Sequence, residues 1–455
     1  MKNGKRSSFS GKLGYVLAAA GASVGLGNIW RFPYLAAKYG GGIFLIIYIV
    51  LALTFGYTMI VAETAIGRMT RKSPVGAFKS FGKKKWLSFG GWINAVIPVL
   101  IVPYYSVIGG WVIKYLVEYF RGNAKLLAED GYFTDFISNG VSTELCFMAF
   151  CAFTLIIIFA GVQNGIERVS KIMMPILIVL SVIIAVYSVT RPGALAGVKY
   201  FLVPNVKNFS WMTVVSAMGQ MFYSLSIAMG ILITFGSYMK KDTAIEDSTR
   251  NVEVFDTGIA IMAGLMIIPA VFAFSGGDPD TLQAGPSLMF ITIPKVFQNM
   301  GFGTVIGIVF FLLVLFAAVT SSIALTESAV STFEDELGWG RKKATVLVGV
   351  IMLALGSLSS LGYGPLAGIK IIGMQFLDLF DFLTNSVMMP IAALLTSLFV
   401  SRVVGIDKIE AEIINGESAF RRKKVFVVMI KYLCPVFAII ILLSSVANAL
   451  GWIKM

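Results

Sequence analysis

Three short runs place small residues beside side-chain oxygens inside otherwise apolar stretches. The first carries Gly21, Gly25 and Gly27, with Ser23 and Asn28 among them. The second carries Ser224, Ser226 and Gly230, with Gly219 and Gln220 a turn or two earlier. The third is Ala317-Ala318-Val319-Thr320-Ser321-Ser322, which sets hydroxyls side by side within one turn. A glycine weakens a helix by roughly 1 kcal/mol relative to alanine, so the first two runs read as places where a helix can break. At a break, freed carbonyls can hold a cation and a half-helix N-terminus can hold a carboxylate. Adjacent hydroxyls facing a break offer hard oxygen ligands to a small cation. Each feature also has a plain structural explanation: small residues let helices approach closely, and a hydroxyl in a membrane helix often bonds its own backbone.

The elements that must position these runs follow from composition. Of 455 residues, 57% are hydrophobic and 13% charged, against about 25% charged in a soluble domain. A soluble protein of this size needs a larger polar skin, so lipid covers much of the surface. Eleven apolar stretches are long enough to span a bilayer, near 13–37, 43–70, 90–121, 143–161, 167–190, 212–238, 250–274, 302–333, 343–361, 372–402 and 425–452. With the N-terminus in the cytoplasm, most of the 37 lysines and arginines fall on the inner side, including Arg68 to Lys85 and Arg421 to Lys424. That bias supports an inside N-terminus and an outside C-terminus. It also explains the net charge of +13 through anionic inner-leaflet lipid, with no nucleic acid involved. Histidine is absent, which excludes imidazole chemistry and His-ligated zinc. Cys146, Cys151 and Cys434 sit in apolar stretches and read as small core residues.

The two glycine-interrupted spans are the first and the sixth, five helices apart. Five is odd, so a duplicated five-helix unit lies inverted in the membrane. Interrupted segments at corresponding positions of inverted repeats point to a transport site at the midplane. The expected organisation is a cytoplasmic segment at 1–12, a first repeat over 13–200 and a second over 201–405. The second repeat carries an extracellular lid at 275–301. A cytoplasmic loop at 406–424 and an eleventh helix at 425–455 follow. No GxxxxGK[ST] loop is present to bind ATP, and loops are too short for a soluble catalytic domain.

The run Gly21-Ala22-Ser23-Val24-Gly25-Leu26-Gly27-Asn28-Ile29-Trp30-Arg31-Phe32-Pro33-Tyr34 closely resembles the first-helix signature of neurotransmitter:sodium symporters. The resemblance continues through Gly40-Gly41-Gly42, Glu63 with Gly67-Arg68, Tyr104-Tyr105, Gln220 to Gly230, Thr320-Ser321-Ser322 and Glu334-Asp335-Glu336. The family mostly has twelve helices; the eleven here are similar to some bacterial members. The resemblance implies an all-α, leucine-transporter-like fold of two inverted five-helix repeats plus one helix, with helices 1 and 6 discontinuous. It also implies sodium coupling and amino-acid substrates.

Carried over residue by residue, the resemblance implies one sodium site from Ser23, Asn28, Ser224 and Asp256, with the substrate carboxylate as a further ligand. The other would use Gly21, Val24, Ala317, Thr320 and Ser321. Substrate would contact Ala22, Ser23, Gly25, Gly27, Ile101, Tyr105, Tyr223, Ser226, Met229, Ser322 and Leu325, with Tyr105 donating to its carboxylate. Arg31 and Asp381 resemble an outer gate, with Asp378 a rival one turn away, and Arg6 and Asp335 an inner one. Glu63 reads as a structural carboxyl bonded to broken backbone. Asp256 stands where most relatives have an asparagine, and Ala260 where they have a chloride-linked serine or a glutamate. One carboxylate would then both ligate sodium and supply the fixed negative charge, so no chloride is expected. The plain alternative makes Asp256 a cap near the cytoplasmic loop.

The expected function is sodium-coupled symport of an apolar or aromatic L-amino acid across the plasma (inner) membrane. A channel or receptor-like protein of the same fold is the alternative, and an enzyme is not expected. The expected partners are the amino-acid substrate and membrane lipid, with the chain a monomer or a homodimer.

Overall fold

Lipid offers no hydrogen-bond partner to bare backbone, so long apolar stretches close their own bonds as helices. The computed structural model of the chain describes residues 6–276, 285–449 and 452. Among them, nine helices are long and apolar enough to span a membrane. In chain order with two interrupted spans, the bundle is α1 (Lys12–Ser23 and Gly27–Lys38), α2 (Gly42–Thr70), α3 (Lys85–Phe120), α4 (Gly140–Phe159), α5 (Val162–Val189), α6 (Trp211–Ser224 and Ile231–Tyr238), α7 (Ile245–Ser275), α8 (Gly303–Leu337), α9 (Arg341–Leu361), α10 (Phe376–Val404) and α11 (Lys423–Ala449). The eleven expected spans are all present as helices. The two that break are the two whose glycines and polar residues marked them.

The halves of α1 meet at 54°. Beyond the break, Gly27–Arg31 forms a wide π turn, a feature frequent at functional sites. In α6 the interruption covers Leu225 to Gly230, where Ser226, Ala228 and Gly230 adopt φ of 52°, 59° and 70°. Left-handed backbone at two non-glycine residues is costly and persists because side chains hold it, as described below. α3 carries Pro98 and Pro103 in its interior. Neither can donate to the preceding turn, and Ile101 and Tyr105 of the same stretch line the cavity described below.

The structure departs from the expected organisation in the connections. The 406–424 loop contains a helix, Ile406–Ile414, and short helices also occupy Pro74–Lys79, Tyr132–Ser138 and Ala194–Leu202. Of the expected lid, residues 277–284 lie outside the described residues, as do 1–5 of the N-terminal segment and 450, 451 and 453–455 at the C-terminal end. The described part of the lid, with helix Ile293–Gln298, dips back into the protein. Phe290 is fully buried, stacks on Phe133 at 5.1 Å, and its carbonyl accepts a 2.8 Å bond from the Tyr115 hydroxyl of α3.

Candidate functional site

Between the two breaks lies a cavity of about 30 Å³ lined by residues of α1, α3, α6 and α8. Ten of the expected substrate contacts line it: Ala22, Ser23, Gly25, Gly27, Ile101, Tyr105, Tyr223, Ser226, Met229 and Leu325. The eleventh, Ser322, does not. Its hydroxyl lies 3.2 Å from that of Thr154 on α4, and the neighbouring Ser321 faces the cavity instead. One residue along a helix is about 100° around it, and run composition alone cannot tell which of two adjacent serines turns inward. Leu26 and Asn28 complete the lining, which carries no charged side chain.

Glycine is required on α1 by how close its neighbours come. A Cβ on Gly27 would meet the Tyr223 ring at 2.2 Å, and one on Gly25 would meet Ser321 Oγ at 2.7 Å and the Tyr105 hydroxyl at 3.0 Å. The Tyr105 hydroxyl accepts a 3.3 Å bond from the backbone N–H of Leu26, at the start of the second half of α1. A helix N-terminus and a phenol therefore converge on one point of the cavity wall, the arrangement that suits an anion.

The breaks are tied to each other. Ser226 Oγ donates to the Ala22 carbonyl at 2.9 Å, and the Gln220 amide donates to the Gly27 carbonyl at 3.0 Å. Glu63 of α2, fully buried, accepts a 2.7 Å bond from the Ala228 N–H in the α6 break, as the sequence reading expected for that carboxyl.

Two oxygen-rich clusters flank the cavity. In one, Asn28 Nδ2 donates to Asp256 Oδ1 at 2.8 Å and to Ser224 Oγ at 2.9 Å. Ser224 Oγ lies 2.9 Å from both Asp256 carboxylate oxygens. Tyr48, which sequence reasoning missed, donates to Asp256 Oδ2 at 3.1 Å; one tyrosine in an apolar span gives no signal of its role. Asp256 is fully buried inside α7, and among the described residues no lysine or arginine pairs with it. That rules out the cap reading. Ser23 belongs to the expected set, but its hydroxyl bonds its own helix at Ala19 O, 3.1 Å away.

In the other cluster, Ser321 Oγ lies 3.1–3.4 Å from the carbonyl oxygens of Gly21, Ala22 and Val24. Thr320 packs against Gly21 while its hydroxyl turns back to Phe316 O and Ala317 O at 3.0 and 3.2 Å. Carbonyls freed by the α1 break and an α8 hydroxyl thus gather in one place, the hard-oxygen chemistry that a small cation takes.

The charged residues at the two ends differ. Arg6 Nη1 pairs with Asp335 Oδ1 at 2.6 Å. Arg6 also donates to Ser331 and Ser237 and lies over the Tyr238 ring at 5.0 Å. The other Asp335 oxygen accepts from Ser73 N at 2.6 Å. A third charge, missed in the sequence although an acid inside a span is itself a signal, is Glu327 of α8. It takes two bonds from Arg341 and one, at 2.7 Å, from the Tyr238 hydroxyl. At the opposite end, Arg31 and Asp381 form no ion pair. The Arg31 guanidinium lies over the Tyr223 ring at 5.4 Å, and Asp381 accepts from Tyr104 at 3.2 Å and from Asn385. Asp378 is taken up by Tyr363 at 3.3 Å.

A helical bundle with two interrupted spans around a mid-depth cavity, oxygen clusters beside it and charged residues above and below is the architecture of a secondary transporter. The profile of the Sodium:neurotransmitter symporter family matches residues 6–127 and 133–451. The chain belongs to that family: it is a multi-pass, sodium-coupled membrane transporter and not an enzyme. It is 34% identical over 450 residues to the uncharacterized sodium-dependent transporter YhdH of Bacillus subtilis, covering 98% of this chain and 99% of that one. Human sodium- and chloride-dependent GABA transporter 2 is 26% identical over 466 residues, covering 88% and 73%. Among solved structures, the crystal structure of MhsT in complex with L-phenylalanine matches with a TM-score of 0.86 and 35% identity, over 97% of this chain and 100% of that one.

The Arg6 cluster generates a prediction. An ion pair biases a conformational equilibrium only by what it gains in one state over the other. Arg6→Ala should therefore raise the labelling rate of cysteines placed along the inner face of α1 and α6, read by a membrane-impermeant thiol reagent on inside-out vesicles. An unchanged rate would show that Arg6 holds nothing shut.

Proposed function

We propose that the chain imports an apolar or aromatic L-amino acid by alternating access, driven by two sodium ions and without chloride. The observation that carries this reading is the uncharged cavity between the breaks, with an anion-binding point at one side and oxygen clusters on both flanks. The substrate carboxylate sits at Tyr105 and the α1 half-helix N-terminus. Its side chain lies against Ile101, Tyr223, Met229 and Leu325. At about 30 Å³ the cavity admits an amino acid only when its walls move, and Met229 is the adaptable element. The L-phenylalanine in complex with MhsT supports this class.

One sodium ion is held by Ser23, Asn28, Ser224 and Asp256, with the substrate carboxylate completing its shell. A shared ligand couples the two directly, because each raises the other's affinity by the same factor. The second is held by Gly21, Val24, Ala317, Thr320 and Ser321, with Ser23 and Thr320 rotating their hydroxyls off their own helices. Two sodium ions moving down a tenfold gradient and a 100 mV potential release about 7 kcal/mol, enough for roughly a 10⁵-fold gradient of a zwitterion. The N-terminus and the Arg6–Asp335 pair face the cytoplasm, as the basic loops require. Arg31 and Asp381 then line the outer approach.

Chloride independence rests on Asp256. Uncompensated charge is expensive in a low-dielectric interior. A buried carboxylate whose partners are an amide and two hydroxyls is a fixed negative charge awaiting a cation. Ala260, one turn on, is fully buried and contributes no polar group.

Three measurements test the proposal. In uptake by proteoliposomes, leucine, methionine, phenylalanine, tyrosine and tryptophan should compete better than lysine or glutamate; the reverse order would refute the pocket assignment. Thr320→Ala/Ser321→Ala should raise the sodium concentration for half-maximal uptake roughly 30-fold, at about 1 kcal/mol per lost oxygen. Ser322→Ala should change it less than about twofold, and equal effects of the two would sink the site. Uptake should persist in chloride-free gluconate, and Asp256→Asn should abolish it or make it respond to chloride. Strict chloride dependence of the unmutated protein would overturn the role of Asp256.

A further inference from the structure

At the end of the molecule opposite Arg6–Asp335, a groove of about 460 Å³ lies between the start of α4 and the end of α9. Val141, Leu145 and Met148 of α4 line one side, and Leu361 and Pro365 the other. On α4 these three are 73%, 59% and 41% exposed. On a membrane-spanning helix, side chains exposed in this way face lipid or another membrane-embedded chain. Within it stands one carboxylate, Glu144. Ser357 of α9 donates to its Oε1, whereas Oε2 is buried and has no hydrogen-bond partner. Among the described residues no lysine or arginine pairs with Glu144. An acid on a lipid-facing surface without a counter-ion marks a functional site, and an orphan buried oxygen calls for an explanation.

Depth and chemistry together define the occupant. Glu144 lies four residues inside the helix start at Gly140, about 6 Å down the axis and so near one end of the span. A ligand that answers both features has an acyl chain to lie along Leu145 and Met148 and a cationic N–H donor at the headgroup. A primary ammonium meets that need and makes a charge-assisted bond to the carboxylate. A choline headgroup has no N–H to donate, and the net negative phosphatidylglycerol headgroup meets a like charge. We propose that this groove is a binding site for phosphatidylethanolamine, with Glu144 as the ligand of its ammonium group. A small rotation of the side chain about its Ser357 bond would bring Oε2 to the groove.

Native mass spectrometry of the full chain, released from detergent after incubation with chain-matched phosphatidylethanolamine, phosphatidylcholine and phosphatidylglycerol, tests this. Phosphatidylethanolamine should be retained at least about fivefold better than phosphatidylcholine. Glu144→Gln should bring the two within about twofold. Leu145→Trp, which narrows the groove beside Glu144 and leaves the charge in place, should also weaken the preference. Equal retention of the three lipids by the unmutated protein, or a preference for phosphatidylglycerol, would overturn the proposal. So would a preference that survives both substitutions, or a dimer peak that displaces the lipid and shows a second copy of the chain to be the true occupant.

Discussion

Backbone polar groups inside a bilayer must be satisfied by protein, because no water is there to take their place. Both interruptions in this bundle obey that constraint through long-range side-chain bonds. The Ala228 N–H reaches Glu63, Ser226 closes the Ala22 carbonyl, Gln220 closes that of Gly27, and Leu26 N–H finds Tyr105. These bonds cross between α1, α2, α3 and α6. The breaks are therefore a joint product of the bundle: neither helix could hold its open backbone alone. The left-handed geometry at Ser226 and Ala228 follows from the same bonds, which fix the two residues that would otherwise relax into helix.

The same constraint accounts for where charge sits. Glu63, Asp256 and Glu327 are each fully buried, and each has a different solution. Glu63 meets backbone, Glu327 meets Arg341, and Asp256 meets only an amide and hydroxyls. Replacing a charge partner by neutral donors lowers the cost of burial only in part. Among the described residues Glu63 and Asp256 are both left without a cationic partner, and Asp256 is the one that stands within an oxygen-rich cluster beside the cavity. In the proposed mechanism that lack gives sodium its affinity and ties it to substrate.

Much of this was legible in the sequence, and the limits have physical causes. Apolar length gives the spans, since a bilayer imposes a minimum. Clustering of glycine with polar residues marks both breaks. The family resemblance that opens at the first-helix run then implies the substrate contacts, and ten of the eleven line the cavity. What fails is azimuth. Choosing between Ser321 and Ser322 requires the rotation of α8, which packing against α1 and α4 decides. Tyr48 was missed because its partner Asp256 lies far along the chain, whereas Glu327, an acid within a span and fourteen residues from Arg341, carried a signal that was passed over. Arg31 and Asp381 are brought to one side of the cavity without pairing, because the Tyr223 ring takes the guanidinium. Helices in the loops, such as Ile406–Ile414, carry too little apolar length to be seen against the much longer spans.

One further consequence attaches to α8, an unbroken helix of 35 residues. It carries Ser321 beside the α1 carbonyls and, fourteen residues on, Asp335 in the Arg6 pair. At 1.5 Å per residue the two are about 21 Å apart. Pivoted at the Ser321 oxygens, a rod of that length would act as a lever. A tilt of about 5° there swings the far end by about 2 Å, enough to part an ion pair held at 2.6 Å. The amplification comes from stiffness and length alone. A disturbance too small to notice among four oxygens becomes, at the end of the rod, the difference between a latched and an unlatched molecule.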